Sequence, residues 1–356
     1  MFRLRTRELG RTTARILLLA DTHLGFDLPF RPRVERRRRG PDFFDNFEKA
    51  LEPAMRREVH IVVHGGDLFY RSRVPTALVE MAMAPLVRVA GQGIPVLIVP
   101  GNHERSRIPQ HLWAVHPNIY LFDKPRTHFF DLGGLKAAFA GFPFSGQVCE
   151  EFTCLVGESG GLRAQADVRL LCMHQIVEGA RVGSVDHTFR SGSDVVRGSD
   201  IPKGFAAILA GHIHRSQILL HDLRGRELNA PVIYSGSIER TSFAERKEQK
   251  HYAIVEVAGS DQPGGDLVDV TMVPLPARPM FNLIVDAQGM KKDQMGTKLR
   301  QRLSELDPDS VVRIQVRGEI PEECLEVFSA ASLRRLAPPS MNVSLAVPRQ
   351  LRLHKR

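Results

Sequence analysis

A chain of 356 residues, 43% apolar and 25% charged, can bury one large core with room for a small appended domain. It holds no run of 18 apolar residues to span a membrane, and its basic start, MFRLRTRELGRTTAR, lacks the apolar stretch of a secretory signal. Forty-nine Lys and Arg against 40 Asp and Glu leave a net charge of +9, which suits a polyanionic partner because each phosphate contact releases condensed counterions.

After a basic extension over residues 1–14, residues 16–19 read as a short buried strand. An arginine tract follows (Arg31, Arg33, Arg36, Arg37, Arg38, Arg39), bounded by Pro29, Pro32 and Gly40-Pro41. Phe43, Phe44, Phe47, Ala50, Leu51 and Ala54 then recur at helical spacing, with Asp42 placed as the N-cap. Residues 59–63 form the next strand, Pro75 opens a helix running to about Gly91, and residues 96–99 form a third strand. Further strands are expected at 169–172, 206–209, 232–234 and 253–257. Strands that alternate with helices and later crowd together imply an α/β sandwich of two sheets. Pro and Gly near 261–265 and again at 274–279 mark a change of character. Beyond it, strands at 281–285 and 311–316 alternate with helices at 290–303 and 322–330. The domains expected are therefore 15–275 and a small α+β block over 276–356.

Cys149, Cys154, Cys172 and Cys324 show no CxxC spacing, which argues against a zinc knuckle or disulfide framework and for a reducing cytoplasm. The chemistry sits elsewhere. Asp21-Thr22-His23, Gly66-Asp67, Gly101-Asn102-His103-Glu104, His174 and Gly211-His212-Ile213-His214 each follow an apolar run: LLLA, IVVH, VLIVP, RLLCM and AAILA. Ligands in open α/β sheets bind beyond the carboxyl ends of the strands, so five strands are expected to deliver five loops to one rim. Carboxylates, imidazoles and an Asn carbonyl suit two divalent ions of the manganese, iron or zinc kind rather than a thiolate site. Such a pair activates water and neutralises charge developing on a phosphodiester. Asp67 is the natural bridge between the ions; Asp21, His23 and His214 serve the first, and Asn102, His174 and His212 the second. His103, beside a ligand, is the candidate to protonate the leaving oxygen or steady the phosphate.

The five motifs in this order resemble the calcineurin-like metallophosphoesterase superfamily. LLLADTHLG, GGDLF, PGNHE and LAGHIH, followed by YSGSIERTSFAE and KHYAIVEV, are similar to its SbcD and meiotic-recombination-eleven branch of DNA double-strand-break repair nucleases. The resemblance covers residues 15 to about 257 and continues loosely through RPMFNLIVD and VVRIQVRG. It implies a four-layer sandwich of two sheets flanked by helices, with a small α+β domain capping DNA. It also implies manganese-dependent exonuclease and endonuclease action at DNA ends or hairpins, a homodimer, and a coiled-coil SMC-like ATPase partner of the SbcC type. Three departures stand out. Tyr70 replaces a His common three residues after the bridging Asp; His64 stands where an apolar residue is usual, a packed or rim-exposed strand residue rather than a third metal site; and the segment that docks the ATPase is expected to be absent before Arg356.

Arg36, Arg37, Arg38, Arg105, Arg107 and Arg215 are the candidate DNA contacts, with Arg71, Arg73 and Arg240 also near motifs; the alternative for each is a solvated surface charge. Aromatic residues make up only 7% and are not interleaved with basic ones, which favours duplex backbone contact over stacked single strands. Two other functions fit less of the sequence. A phosphatase or small-molecule phosphodiesterase needs no basic approach, and a non-catalytic DNA-binding scaffold needs no complete ligand set.

Overall fold

The computed structural model describes residues 2–3, 11–28, 38–104, 115–183, 186–318 and 320–346. They fall into two compact units: Met1–Phe26, Gly40–Arg240 and Glu248–Pro276 in the first, Asp27–Arg39, Thr241–Lys247 and Ala277–Arg356 in the second.

The first unit is built on two mixed sheets. In one, strands Thr13–Leu19, Ile61–His64, Val96–Ile98 and Ile119–Leu121 run parallel, and His251–Ala258 and Asp266–Pro274 add antiparallel neighbours beyond Thr13–Leu19. In the other, Lys136–Gly141, Val168–His174, Ala207–Gly211 and Glu227–Tyr234 run parallel between antiparallel edges Arg126–Asp131 and Gln217–His221. Central parallel strands are covered on both faces, which is why LLL, IVV and VLI read as unbroken apolar runs.

Alternate side chains divide between the faces. Ile16, Leu18, Ile61, Val63 and Leu97 of the first sheet meet Phe139, Leu170, Cys172, Leu209 and Ile233 of the second in one dry core between the sheets. On the outer face of the second sheet, Leu171, Met173, Ile208, Ala210 and Val232 pack with Val148, Phe152 and Val156 of helix Val148–Ser159. Helices Gly40–Met55 and Thr76–Gly91 pack on each other and on the first sheet. Helices, sheet, sheet and helix make the expected four layers. No described helix is long and apolar enough to cross a membrane.

The structure corrects several local expectations. Helix Gly40–Met55 starts ahead of Asp42, which lies buried in its first turn rather than capping it; Pro41, with no N–H to satisfy, is suited to that first turn. Residues 261–265 are no boundary. Gly264 and Gly265, at φ of 99° and 79°, turn the chain between two paired strands, His251–Ala258 and Asp266–Pro274, of the same sheet.

The second unit holds three parallel strands in the order Met280–Asp286, Val311–Arg317, Asn342–Leu345. Leu283, Val285, Val312 and Ile314 pack against Met295, Leu299 and Leu303 of helix Lys292–Ser304, and against Phe328 and Leu333. The single helix expected at 322–330 is instead a 3-10 segment, Glu322–Phe328, followed by the short helix Ala330–Leu336. Ser329 separates them because its side chain caps the second, accepting from the Ser332 N–H at 3.2 Å.

Candidate metal centre

Every motif lies at the carboxyl end of a parallel strand. Asp21 and His23 follow Thr13–Leu19, Asp67 follows Ile61–His64, and Asn102 and His103 follow Val96–Ile98. His174 ends Val168–His174, while His212 and His214 follow Ala207–Gly211. Three loops come from one sheet and two from the other, and the structure brings all eight side chains together.

Two groupings are visible. The Nε2 atoms of His23 and His214 lie 2.9 Å apart, with Asp21 Oδ1 4.0 Å from His214 Nε2. On the other side, Asn102 Oδ1 is 3.1 Å from His174 Nε2 and 3.0 Å from His212 Nδ1. Asp67 touches both sides: its Oδ2 is 3.5 Å from His174 Nε2 and 3.8 Å from His103 Nε2, and its carboxylate groups with His23 within metal-binding distance. The two sides are laced together by the His212 N–H, which donates to the Asp21 carboxylate at 3.0 Å.

The hydrogen bonds fix tautomers. His174 donates from Nδ1 to the Gly65 carbonyl at 2.8 Å, so in its neutral form Nε2 presents a lone pair. That lone pair faces the Asn102 carbonyl oxygen and the Asp67 carboxylate. Acceptors converging in a buried space repel one another unless a cation, or a proton, sits among them. Nearby, His23 Nδ1 is buried without a hydrogen-bond partner. The nitrogen and oxygen donors therefore fit two divalent metal ions.

The electrostatics agree. Burial alone would lower His174, yet the carboxylates of Asp67 and Asp21 overcome it and raise the imidazole to about 9. Burial works against the Asp67 charge too, but His174 and the neighbouring imidazoles hold that carboxyl well below its usual range. Burial raises Asp21, lowers His23 far below the ordinary imidazole range, and with the charge of His174 takes His212 down to about 3.

The backbone is strained where the side chains converge. Asp21, His23, Asp67 and His212 all have positive φ, at 51°, 45°, 53° and 86°. Non-glycine residues hold such angles only where the surroundings over-determine them. Gly66 and Gly101 complete the cradle: a Cβ on the first would collide with the His174 ring, and one on the second with the Asp67 carboxylate.

His103 is held rather than loose. Its Nδ1 donates to the Tyr70 carbonyl at 2.6 Å and its N–H to Asp67 Oδ1 at 2.9 Å, which leaves Nε2 directed into the site. Tyr70 thus contributes its backbone to His103, while its ring meets that of His23 edge-on at 6.0 Å.

The basic candidates fare differently. Arg36, Arg37, Arg105 and Arg107 lie outside the described residues. Arg38 pairs with Asp27 at 2.6 Å, and Arg215 pairs with Asp186. Arg240 is buried, its Nε 3.1 Å from Glu239 Oε1. A solvated surface charge does not describe it.

Three contributors had no role in the sequence reading. Glu104, 1% exposed, accepts from the backbone N–H groups of Gly101 (2.7 Å), Phe69 (2.9 Å) and Asp67 (3.1 Å), and so ties the second motif to the third. Burial and the charge of Asp67 push its carboxyl up to about 8 against the Phe69 and Gly101 donors. Its place in GNHE was the available signal. Lys250, fully buried, donates to the His214 carbonyl at 3.0 Å and to Glu248 at 2.9 Å. Phe144 stacks on His212 with centroids 5.6 Å apart, and nothing in its sequence context points there.

Comparison with known proteins follows the same line. Residues 14–216 match the family model described as calcineurin-like phosphoesterase. The DNA double-strand break repair protein Mre11 of Haloferax volcanii is 30% identical over 86% of this chain and 62% of its own length. The protein of the same name from Methanosarcina mazei is 28% identical over 86% of this chain and 45% of its own. This chain thus spans roughly half to three-fifths of those relatives. Among solved structures, a dimetal phosphatase from Danio rerio superposes with a TM-score of 0.42 at 14% identity, over 74% of this chain and 99% of that one. With more than half its residues inside the family match, this chain belongs to the calcineurin-like phosphoesterases.

Proposed function

We propose that this chain is a two-metal DNA nuclease, cleaving phosphodiester bonds at DNA ends or hairpins during double-strand-break repair. The observation that carries the reading is the convergence of Asp21, His23, Asp67, Asn102, His174, His212 and His214, whose acceptor atoms repel one another unless a cation or a proton sits among them. The DNA substrate is supported by the relatives named for double-strand break repair and by the net charge of +9.

In this reading Asp21, His23 and His214 would hold one ion and Asn102, His174 and His212 the other, with the Asp67 carboxylate available to both. The ions, manganese in our proposal, supply Lewis acidity that draws charge from the phosphate and acidifies the attacking water. The protein does the positioning. Glu104 locks the Asp67 and Asn102 loops together through three backbone bonds. His103, oriented by the Tyr70 carbonyl, offers Nε2 to carry a proton to the leaving oxygen or to hold a phosphate oxygen. Residues 276–356 take the DNA-capping role, and a homodimer and an SMC-like ATPase partner belong to the same proposal.

Purified protein incubated with linear duplex, a DNA hairpin and bis-p-nitrophenyl phosphate, each with Mn²⁺ or EDTA, tests it. Manganese-dependent shortening of DNA is expected, reduced more than about a hundredfold in Asp67→Asn and His103→Ala. Turnover of the small diester with DNA left intact would instead identify a small-molecule phosphodiesterase.

A further inference from the structure

Strand Ile61–His64 ends in a residue that supplies no ligand, yet its side chain is fully buried beneath the first two motifs. Nδ1 of His64 lies 3.2 Å from the Gly66 backbone N–H and must accept it, so the ring proton belongs on Nε2. Nε2 lies 3.0 Å from Thr22 Oγ1, and the Thr22 hydroxyl donates onward to the Leu68 carbonyl at 3.0 Å. The relay runs in one direction: Gly66 N–H to His64, His64 N–H to Thr22, Thr22 O–H to Leu68. Both ring nitrogens are occupied, so His64 has no lone pair left for a metal. The Phe47 ring of helix Gly40–Met55 lies near-perpendicular to it, with centroids 6.5 Å apart.

The anchor points bracket three candidate ligands. Thr22 stands between Asp21 and His23, and Gly66 and Leu68 flank Asp67. Backbone rungs already join these loops, from Asp21 N–H to the Gly66 carbonyl (2.9 Å), from His23 to Asp67 (3.0 Å) and from Leu24 to Leu68 (2.9 Å). Those rungs set the spacing of the two loops but leave three residues at positive φ, which relax unless further contacts hold them.

We propose that His64 and Thr22 form a buried clamp that holds Asp21, His23 and Asp67 in metal-binding geometry, acting as positioning residues for the site. An apolar side chain at position 64 would strand the Gly66 N–H and remove the donor to Thr22, both in a fully buried place. Hydrogen-bonded partners behind metal ligands typically change affinity tenfold to a hundredfold when removed. The clamp rests on the two-metal reading above.

Calorimetric titration with Mn²⁺, paired with the melting temperature of each metal-free protein, tests it on Thr22→Val, Thr22→Ser, His64→Leu, the Thr22→Val/His64→Leu double variant and Asp67→Asn. The expected result is a loss of about tenfold or more in Mn²⁺ affinity for Thr22→Val and for His64→Leu. The double variant should be no worse than the weaker single one, and Thr22→Ser, which keeps the hydroxyl, should stay within about threefold of the parent. A merely structural role would lower the melting temperature and leave affinity unchanged. Thr22→Val is nearly isosteric and answers alone should His64→Leu fail to fold. Parent-like affinity in the clamp variants, or losses that multiply in the double variant, would overturn the clamp while Asp67→Asn still abolished binding. Parent-like Mn²⁺ binding in Asp67→Asn would overturn the metal reading itself.

Discussion

Both units bury polar side chains, to different ends. In the first, Asp21, His23, Asp67 and His174 are each at most 2% exposed, lie at one rim, and face one another with acceptor atoms. In the second, the buried polar residues among those described are Arg39, Glu245, Ser310, Ser332 and Asn342, and three of these serve local structure: Glu245 accepts from the Thr241 hydroxyl at 2.9 Å, Ser332 accepts from Arg335 at 2.9 Å and Asn342 from Arg278 at 2.6 Å. Burying titratable groups that repel destabilises a fold, so a rim of this kind is maintained for what it binds. The second unit carries no such cluster among its described residues, and its buried side chains do the ordinary work of a core.

Leu299→Ala sets the largest test of that division. Leu299 is fully buried where helix Lys292–Ser304 meets its sheet, and truncation should cost about 2–5 kcal/mol in transfer and cavity terms. Urea unfolding should show the loss, while calorimetry should show Mn²⁺ affinity unchanged. A fall in metal affinity alongside the stability would break the division, because it would make the second unit part of the site.

The same division explains what the sequence discloses. Motifs were legible because the residues that set function sit where unbroken apolar runs stop, and the runs that precede Asp21, Asp67, Asn102, His174 and His212 are all strands. Other elements gave little signal. Strand Lys136–Gly141, KAAFAG, is mostly alanine and glycine, and helix Val148–Ser159 buries a thin apolar stripe, Val148, Phe152 and Val156, among cysteines and glutamates. Pattern cannot show pairing either: the Pro and Gly around 261–265 look like a linker until the strands on each side prove to be neighbours. Side-chain partners are the least legible. Nothing in the sequence says that Arg240 is buried against Glu239, that three N–H groups converge on Glu104, or that His64 is tied through Thr22 to the neighbouring loop.

A smaller effect should appear as a function of pH in the metal-free protein. Burial, reinforced by the charge of His174, takes His64 down to about 3 from an ordinary value of 6.5. Above 6.5 the group is neutral whether folded or unfolded and contributes no dependence. Between 6.5 and 3 the unfolded chain binds a proton that the folded chain refuses, so stability falls as pH falls, by about 1.4 kcal/mol per pH unit for that group. His212 adds a slope of the same sign over the same window. His174 acts in the other direction: raised to about 9, it stabilises the metal-free fold below 6.5 and loses that contribution as pH climbs to 9. Urea midpoints for His64→Gln should therefore show a shallower acid limb by about one proton, with the alkaline limb unchanged. An acid limb as steep as the parent's would mean that His64 takes up its proton while folded.

The smallest effect is expected at an exposed ion pair that joins two helices of the first unit. Arg88 of Thr76–Gly91 donates to Glu48 of Gly40–Met55 at 2.9 Å, with both side chains more than half exposed. Water screens such a pair, and ordering two long side chains offsets much of the attraction, so Arg88→Ala should change stability by under about 1 kcal/mol. Added salt should shrink the difference further, since exposed charges are screened beyond about 8–10 Å near physiological ionic strength. The value of the measurement lies in its contrast with the rim, where titratable groups lie buried and interact strongly with one another. If Arg88→Ala cost as much as Leu299→Ala, exposure would not be what separates structural charges from functional ones in this fold, and the reading of the rim from burial would lose its basis.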